Sequence, residues 1–162
     1  MSVITPPVAL SPSKLEAILE VFESNFRRYG EIGASISIAA MAAAAAVTTE
    51  LIVAPLVLDC DYRHPAVLSR ELATIDQISE GRLQVGIGAG WNEAECTMMG
   101  GDFAHRWAQV KEYIFAMKKL WTGEYVGAEG KYANFPPSVC RPTPWRKPHP
   151  PIMLGSIGSP NV

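Results

Sequence analysis

Leu51-Ile-Val-Ala-Pro-Leu-Val-Leu58 is a continuous apolar run rich in β-branched residues. Such a run reads as a strand buried on both faces, as in a parallel sheet. Proline cannot donate to a ladder and sits at edges or bulges, so Pro55 predicts a bulge within this strand. Downstream, Val67, Leu68, Leu72, Ile75 and Ile78 recur at helical spacing, and Gly81 stops that helix. Leu83, Val85 and Ile87 then form the core of a second strand, which ends in Gly86-Ile-Gly-Ala-Gly90. Strand, helix and strand in this order predict a right-handed βαβ unit, hence an α/β fold with a parallel sheet.

The flanking chain extends the pattern. Trp107, Val110, Tyr113, Ile114, Met117, Leu120 and Trp121 mark an amphipathic helix. Residues 124–135 read as a hairpin turning at Glu129-Gly130, and 136–151 as an irregular proline-rich segment. Ile152-Met-Leu154 begins a third strand, ending at Gly155-Ser-Ile-Gly158. Upstream, the alanine-rich stretch Ile36 to Val47 reads as a well-buried helix, because alanine has the best helix propensity and lets neighbours pack closely. Ser13 and Glu16 form a capping box that opens a helix over about 14–28, behind an irregular leader.

With 48% hydrophobic and 19% charged residues, the chain has a globular composition rather than a disordered one. A net charge of −2 gives no electrostatic reason to expect nucleic acid or an anionic membrane as partner. The longest apolar stretch, Ile38 to Val47, is far short of the roughly 20 residues of a membrane span. Met1 to Pro7 lacks the basic start of a signal peptide. Cys60, Cys96 and Cys140 are odd in number and lack a CxxC pair, which fits free thiols in a reducing cytoplasm. The histidines His64, His105 and His149 are scattered, so no metal site is expected.

Ligands of such sheets bind at the carboxyl ends of the strands. The residues there are Asp59, Cys60, Asp61, Tyr62 and Arg63, then Gly88, Gly90, Trp91, Asn92 and Glu93, then Gly155, Ser156 and Gly158. Glycine lets a backbone approach a ligand, and free N–H groups there can hold a phosphate; the alternative for each glycine is a tight turn or close strand packing. Trp91 follows a strand end directly and faces either a ligand or solvent. The G-x-G-x-x-G dinucleotide fingerprint fails, since Trp91 or Glu93 stands where its last glycine is needed. Neither a P-loop nor a G-x-S-x-G elbow is present. Arg70, Glu71, Asp76 and Arg82 are expected to form ion pairs at the amino-terminal face, away from the chemistry. Asp59, Asp61 and Glu93 are the nearest carboxylates and read as solvated loop charge, so no catalytic acid or base is assigned.

Tyr62-Arg-His-Pro-Ala-Val-Leu68, Arg70-Glu-Leu-Ala-Thr-Ile-Asp76, Ser79-Glu-Gly-Arg82 and Gly86-Ile-Gly-Ala-Gly-Trp91-Asn-Glu, in that order, resemble the luciferase-like monooxygenase family. Leu120-Trp-Thr-Gly123, Glu129-Gly-Lys-Tyr132 and Pro148-His-Pro-Pro-Ile152 continue the match. The resemblance implies a (β/α)8 TIM barrel with FMN or the deazaflavin coenzyme F-420 at its carboxyl face. It implies that the cofactor pocket includes Gly88, Gly90 and Trp91, with Gly155, Ser156 and Gly158 on the phosphate side. It also implies that the strand matching 51–58 brings backbone near the ring, sometimes through a bulge with a non-prolyl cis peptide, near Pro55-Leu56. The activity implied is that of an oxidoreductase acting on a small-molecule substrate by hydride transfer or monooxygenation.

The family's first two strands should precede residue 36, where only a leader and a helix are legible, and its last three have no counterpart. Residues 1–35 are therefore expected as a poorly matched leader and helix, and 36–162 as a partial, truncated barrel of parallel strands with intervening helices. The alternative to an active enzyme is an inactive fragment, or half of a split barrel. A homo-oligomer or a complementing chain is expected to cover its open edges.

Overall fold

The structure, a computed structural model, describes residues 33–155. The helix expected over 14–28 and the residues Ser156 and Gly158 lie outside them. Helix α1 spans Gly33–Val47, strand β1 Leu58–Asp59, helix α2 Pro65–Ile78 and strand β2 Val85–Gly88. Helix α3 spans Glu93–Met98, helix α4 Arg106–Trp121, strands β3 and β4 Val126–Glu129 and Asn134–Ser138, and strand β5 Ile152–Gly155. Strands β1, β2 and β5 form one parallel sheet in the order β1-β2-β5, and β3 and β4 form a separate antiparallel ribbon. The fold is α/β, with parallel strands joined by helices in the manner of a partial (β/α)8 barrel.

The sheet follows from alternation. Leu58, Val85 and Ile87 point to one side, where α2 and α4 cover them with Leu68, Leu72, Ile75, Val110, Met117 and Trp121. Trp121 Nε1 donates to the Ser69 carbonyl at 2.9 Å, which satisfies its only polar atom inside this core. Trp107 packs at the margin of the same cluster. His64 is an extended residue that caps α2, its ring nitrogen accepting from the amide of Ala66, and Pro65 takes the first helical position. At the other end Glu80 and Gly81 turn the chain with positive φ.

The run 51–58 is not one strand. Val53 makes an isolated parallel bridge to Leu83 and Leu58 pairs with Ile87, but between them the ladder is interrupted around Pro55. Leu51, Ile52 and Leu56 are more than half exposed rather than buried. The bulge implied by Pro55 is present, and the Leu56–Val57 peptide is cis without proline. Helix α1 is also less buried than its composition suggests. Met41 and Ala45, one turn apart, are buried, whereas Ala39, Ala43 and Ala46 are exposed, because α1 packs against its neighbours along one stripe. The ribbon runs on to Ser138, past the expected end of the hairpin, and holds Pro136 and Pro137 at an edge, where their missing donors cost nothing.

The four charged residues expected to pair at the amino-terminal face do not pair with one another. Arg82 donates to the carbonyls of Ala45 and Thr48 at 2.8 Å, where the end of α1 leaves carbonyls without helical donors, and to the Leu51 carbonyl in the following loop at 2.7 Å. Asp76 is fully buried and accepts the amide of Arg146 at 2.8 Å. Glu71 pairs with Arg63 at 2.7 Å. Arg70 is exposed.

Candidate functional site at the carboxyl ends of the strands

Parallel pairing brings three strand ends to one place. Asp59 pairs with Gly88, and Gly88 with Gly155. These residues alternate with Leu58 and Ile87, so they face away from the helices. The expected Gly88, Gly90, Trp91 and Gly155 therefore come together, with Asp59 beside them.

The glycines are closely packed. A Cβ at Gly88 would lie 2.6 Å from Val57 Cγ2, and one at Gly155 would lie 2.7 Å from Val57 Cγ1. A Cβ at Gly90, whose φ is +69°, would strike the Asp59 carboxylate. The missing side chains thus make room for this chain's own bulge and carboxylate, while their backbones remain at the strand ends. Leu56, on the crest of the bulge, is 95% exposed, and Trp91 is 69% exposed. Val57 was not legible as a site residue, and alternate glycines opposite a branched side chain were its only signal.

Asp59 caps the short 3-10 turn Cys60–Tyr62 by accepting the amide of Asp61 at 2.9 Å. Asp61 in turn accepts Gln109 Nε2 of α4 at 3.1 Å, and a Cβ at Gly101 would press on both Asp61 and Cys96 Sγ. The two carboxylates are thus structural ties and not the solvated charges expected. Burial, then hydrogen bonding to Asp61, pushes the Cys96 thiol up to about 11. Burial, with Asp59 and Asp61 adding to it, pushes the Cys60 thiol still higher. Both sulfurs are therefore inert thiols at neutral pH. Glu93 is exposed in the first turn of α3, where Asn92 caps the helix through the amides of Ala94 and Glu95.

A second polar group lies beyond Gly101. Asp102 accepts from His105 at 2.9 Å, from the Tyr132 hydroxyl at 2.9 Å and from Lys131 at 3.2 Å. Glu112 of α4 accepts the amides of Tyr132 and Ala133 at 2.7 and 3.0 Å. The tip of the β3–β4 ribbon is thereby pinned to the loop that leaves the strand ends. Among the described residues, no three His, Cys, Asp or Glu side chains form a group that could hold a metal ion, and no helix is long and apolar enough to cross a membrane.

At the strand ends this arrangement offers backbone and exposed apolar side chains, with Asp59 and Asp61 hydrogen-bonded within their own chain. Comparison with known proteins gives the family. The model of the luciferase-like monooxygenase family matches residues 18–162. The chain belongs to this family. An uncharacterized protein of Mycobacterium tuberculosis (strain ATCC 25618 / H37Rv) is 36% identical over 119 residues, covering 74% of this chain and 42% of that protein. The FMNH(2)-dependent dimethylsulfone monooxygenase of Pseudomonas putida is 33% identical over 94 residues, 56% of this chain and 26% of that protein. The F420-dependent glucose-6-phosphate dehydrogenase of Beutenbergia cavernae is 35% identical over 95 residues, 57% of this chain and 28% of that protein.

Solved structures of monooxygenases share the fold. The monooxygenase RslO1 from Streptomyces bottropensis superposes with a TM-score of 0.68 at 33% identity, covering 73% of this chain and 36% of that one. The oxygenating constituent of 3,6-diketocamphane monooxygenase from Pseudomonas putida, solved with FMN, gives a TM-score of 0.63 at 29% identity, covering 72% and 36%. The chain thus spans less than half the length of the relatives it matches.

Proposed function

We propose that this chain contributes the flavin- or deazaflavin-binding strand ends of a luciferase-like oxidoreductase acting on a small molecule. The observation that carries the reading is the convergence of Asp59, Gly88 and Gly155 at one end of a parallel sheet, with Leu56 and Trp91 exposed beside them. The fit is to a planar, largely apolar ring: backbone and aliphatic surface are presented, and the Asp59 and Asp61 carboxylates are hydrogen-bonded within their own chain. FMN and F-420 are both candidates, since relatives named for each are similar over comparable lengths of the chain.

When bound, such a cofactor supplies hydride transfer, or oxygen activation in the case of reduced FMN. The chain's own part is to bind, orient and exclude water. The backbones of Gly88 and Gly90 would approach the ring, Trp91 and Leu56 would shield it, and N–H groups of Gly155, Ser156 and Gly158 would hold phosphate. The bonds that tie Asp59 and Asp61 to Asp61 N and Gln109 would keep this floor rigid. Free buried thiols support a cytoplasmic location. A second reading, in which the chain works only with another copy or a complementing chain, is favoured by the exposed Leu51, Ile52, Leu56 and Met153.

The test is a fluorescence titration of the purified chain with FMN and, separately, with F-420. Saturable binding of either at concentrations up to about 100 μM, some 5–6 kcal/mol of affinity, supports the reading. Failure of both to bind, alone and in the presence of a homologous fragment carrying the remaining strands, sinks it.

A further inference from the structure

The segment 55–57 crosses the sheet on the side away from the helices, and shape holds it there. The Pro55 carbonyl oxygen lies where a Cβ of Gly86 would be. Val57 places Cγ2 at 2.6 Å from the Cβ position of Gly88, with Cγ1 and Cγ2 at 2.7 and 3.1 Å from that of Gly155. Real Cβ atoms essentially never come within 3.0 Å of a neighbour. Gly86 and Gly88 lie two residues apart on β2, and Gly155 pairs with Gly88, so all three open on the same side. Together they make a slot the width of one isopropyl group. A β-branched side chain suits it, because its χ1 is stiff. Leu56, between the two pinned residues, is left almost fully exposed at the strand ends.

We propose that Val57 is a positioning residue. Keyed into the Gly86–Gly88–Gly155 slot, it sets the height at which Leu56 and its backbone stand above the sheet, and so the depth at which a planar ring can rest on the strand ends. This rests on the flavin or deazaflavin reading above. The three glycines are then required by the key rather than by the ring itself. An alanine at Gly88 acts on binding indirectly, by lifting Val57 and the bulge with it.

The experiment uses the full chain as wild type, Gly88→Ala, Val57→Ala, Val57→Thr and the double variant Val57→Ala/Gly88→Ala. Two quantities are read: the thermal midpoint without ligand, and the affinity for FMN and F-420 together with the visible spectrum of bound FMN. Gly88→Ala is expected to lower the midpoint, and the double variant to return it to that of Val57→Ala, because the alanine refills the slot. Affinity is expected to fall about tenfold in Val57→Ala and to stay low in the double variant, with a shifted flavin band. Val57→Thr, which keeps the branched shape, restores most of that affinity. A midpoint in the double variant no better than in Gly88→Ala overturns the slot. Unchanged affinity and spectrum in Val57→Ala overturn the positioning role. Absence of binding by the wild type, alone and with a homologous fragment carrying the remaining strands, overturns the cofactor reading and the positioning role with it, and the midpoint cycle still decides the slot.

Discussion

Gly90 and Asp76 show how single residues are constrained at opposite ends of the sheet. Gly90 has φ +69° and faces the Asp59 carboxylate, so alanine there is penalised twice, by backbone conformation and by contact. Gly90→Ala is expected to cost about 1–3 kcal/mol in chemical denaturation, and adding Asp59→Ala should recover the contact part but not the backbone part. At Asp76, burial pushes the carboxyl up, and the Arg146 amide and charge offset this only in part. A carboxyl raised in the folded state adds stability below the ordinary aspartate value of about 4 and loses it as pH rises through its folded value. Asp76→Asn keeps an acceptor for Arg146 and removes the charge. Its midpoint at pH 7 should equal or exceed that of wild type, with a flatter pH profile above 4. Asp76→Leu strands the Arg146 amide and should cost about 1–3 kcal/mol. A strongly destabilised Asp76→Asn would show that the ionised form is the one the fold requires.

Among the described elements, the β3–β4 ribbon is held at its tip by charged side chains. Its tip is bound to Asp102 and Glu112, and little of β4 is buried. The hydrogen bond from His105, followed by those from Tyr132 and Lys131, holds the Asp102 carboxyl well below the usual range. For Glu112, burial opposes ionisation most, but the amides of Ala133, Tyr132 and Lys131 together bring the carboxyl below its ordinary value. Carboxyls lowered by folding contribute stability above their unfolded values, near 4, and lose it as pH falls through the folded ones. The ribbon tip should therefore loosen at acid pH before the parallel sheet does. Amide resonances of Tyr132 and Ala133 should shift below about pH 4 while those of Val85 and Ile87 hold. Glu112→Ala should speed hydrogen exchange at the tip at pH 7 and leave the exchange of β2 unchanged. Simultaneous loss of ribbon and sheet on acidification would contradict this order.

For the whole molecule, one side of the sheet is sealed by α2 and α4 and the other carries a narrow bulge with exposed aliphatic residues. Leu51, Ile52, Leu56 and Trp91 are each more than half exposed, and apolar surface of this kind seeks a partner. The isolated chain is expected to self-associate. Light scattering coupled to size exclusion should report a mass above the 17.6 kDa of one chain, falling towards it in Leu56→Lys/Ile52→Lys. A monomer at all concentrations, with a sharp cooperative melt, would show that this surface is tolerated in water.

The sequence by itself determined most of the helices and the strands β2 and β5, and which way the sheet would run, but neither the break of 51–58 into a bridge and a short strand nor the helix Glu93–Met98. Leu83, Val85 and Ile87 alternate, and Leu68, Leu72 and Ile75 repeat at helical spacing; both are local patterns set by where each backbone sends its side chains. It also determined that Gly88, Gly90 and Gly155 would lie at strand ends, because chain direction follows from the order of elements. Only the tertiary structure decided what each glycine is for. Gly155 and Val57 are almost a hundred positions apart in the chain, and their contact depends on the register of β2 against β5 and on the bulge that Pro55 introduces. The same holds for Arg82 on the carbonyls at the end of α1 and just beyond it, and for Gln109 donating to Asp61. Periodicity reports which side of an element is apolar; it carries no record of which distant atom will fill the space left by a missing side chain, because that is settled by packing between elements.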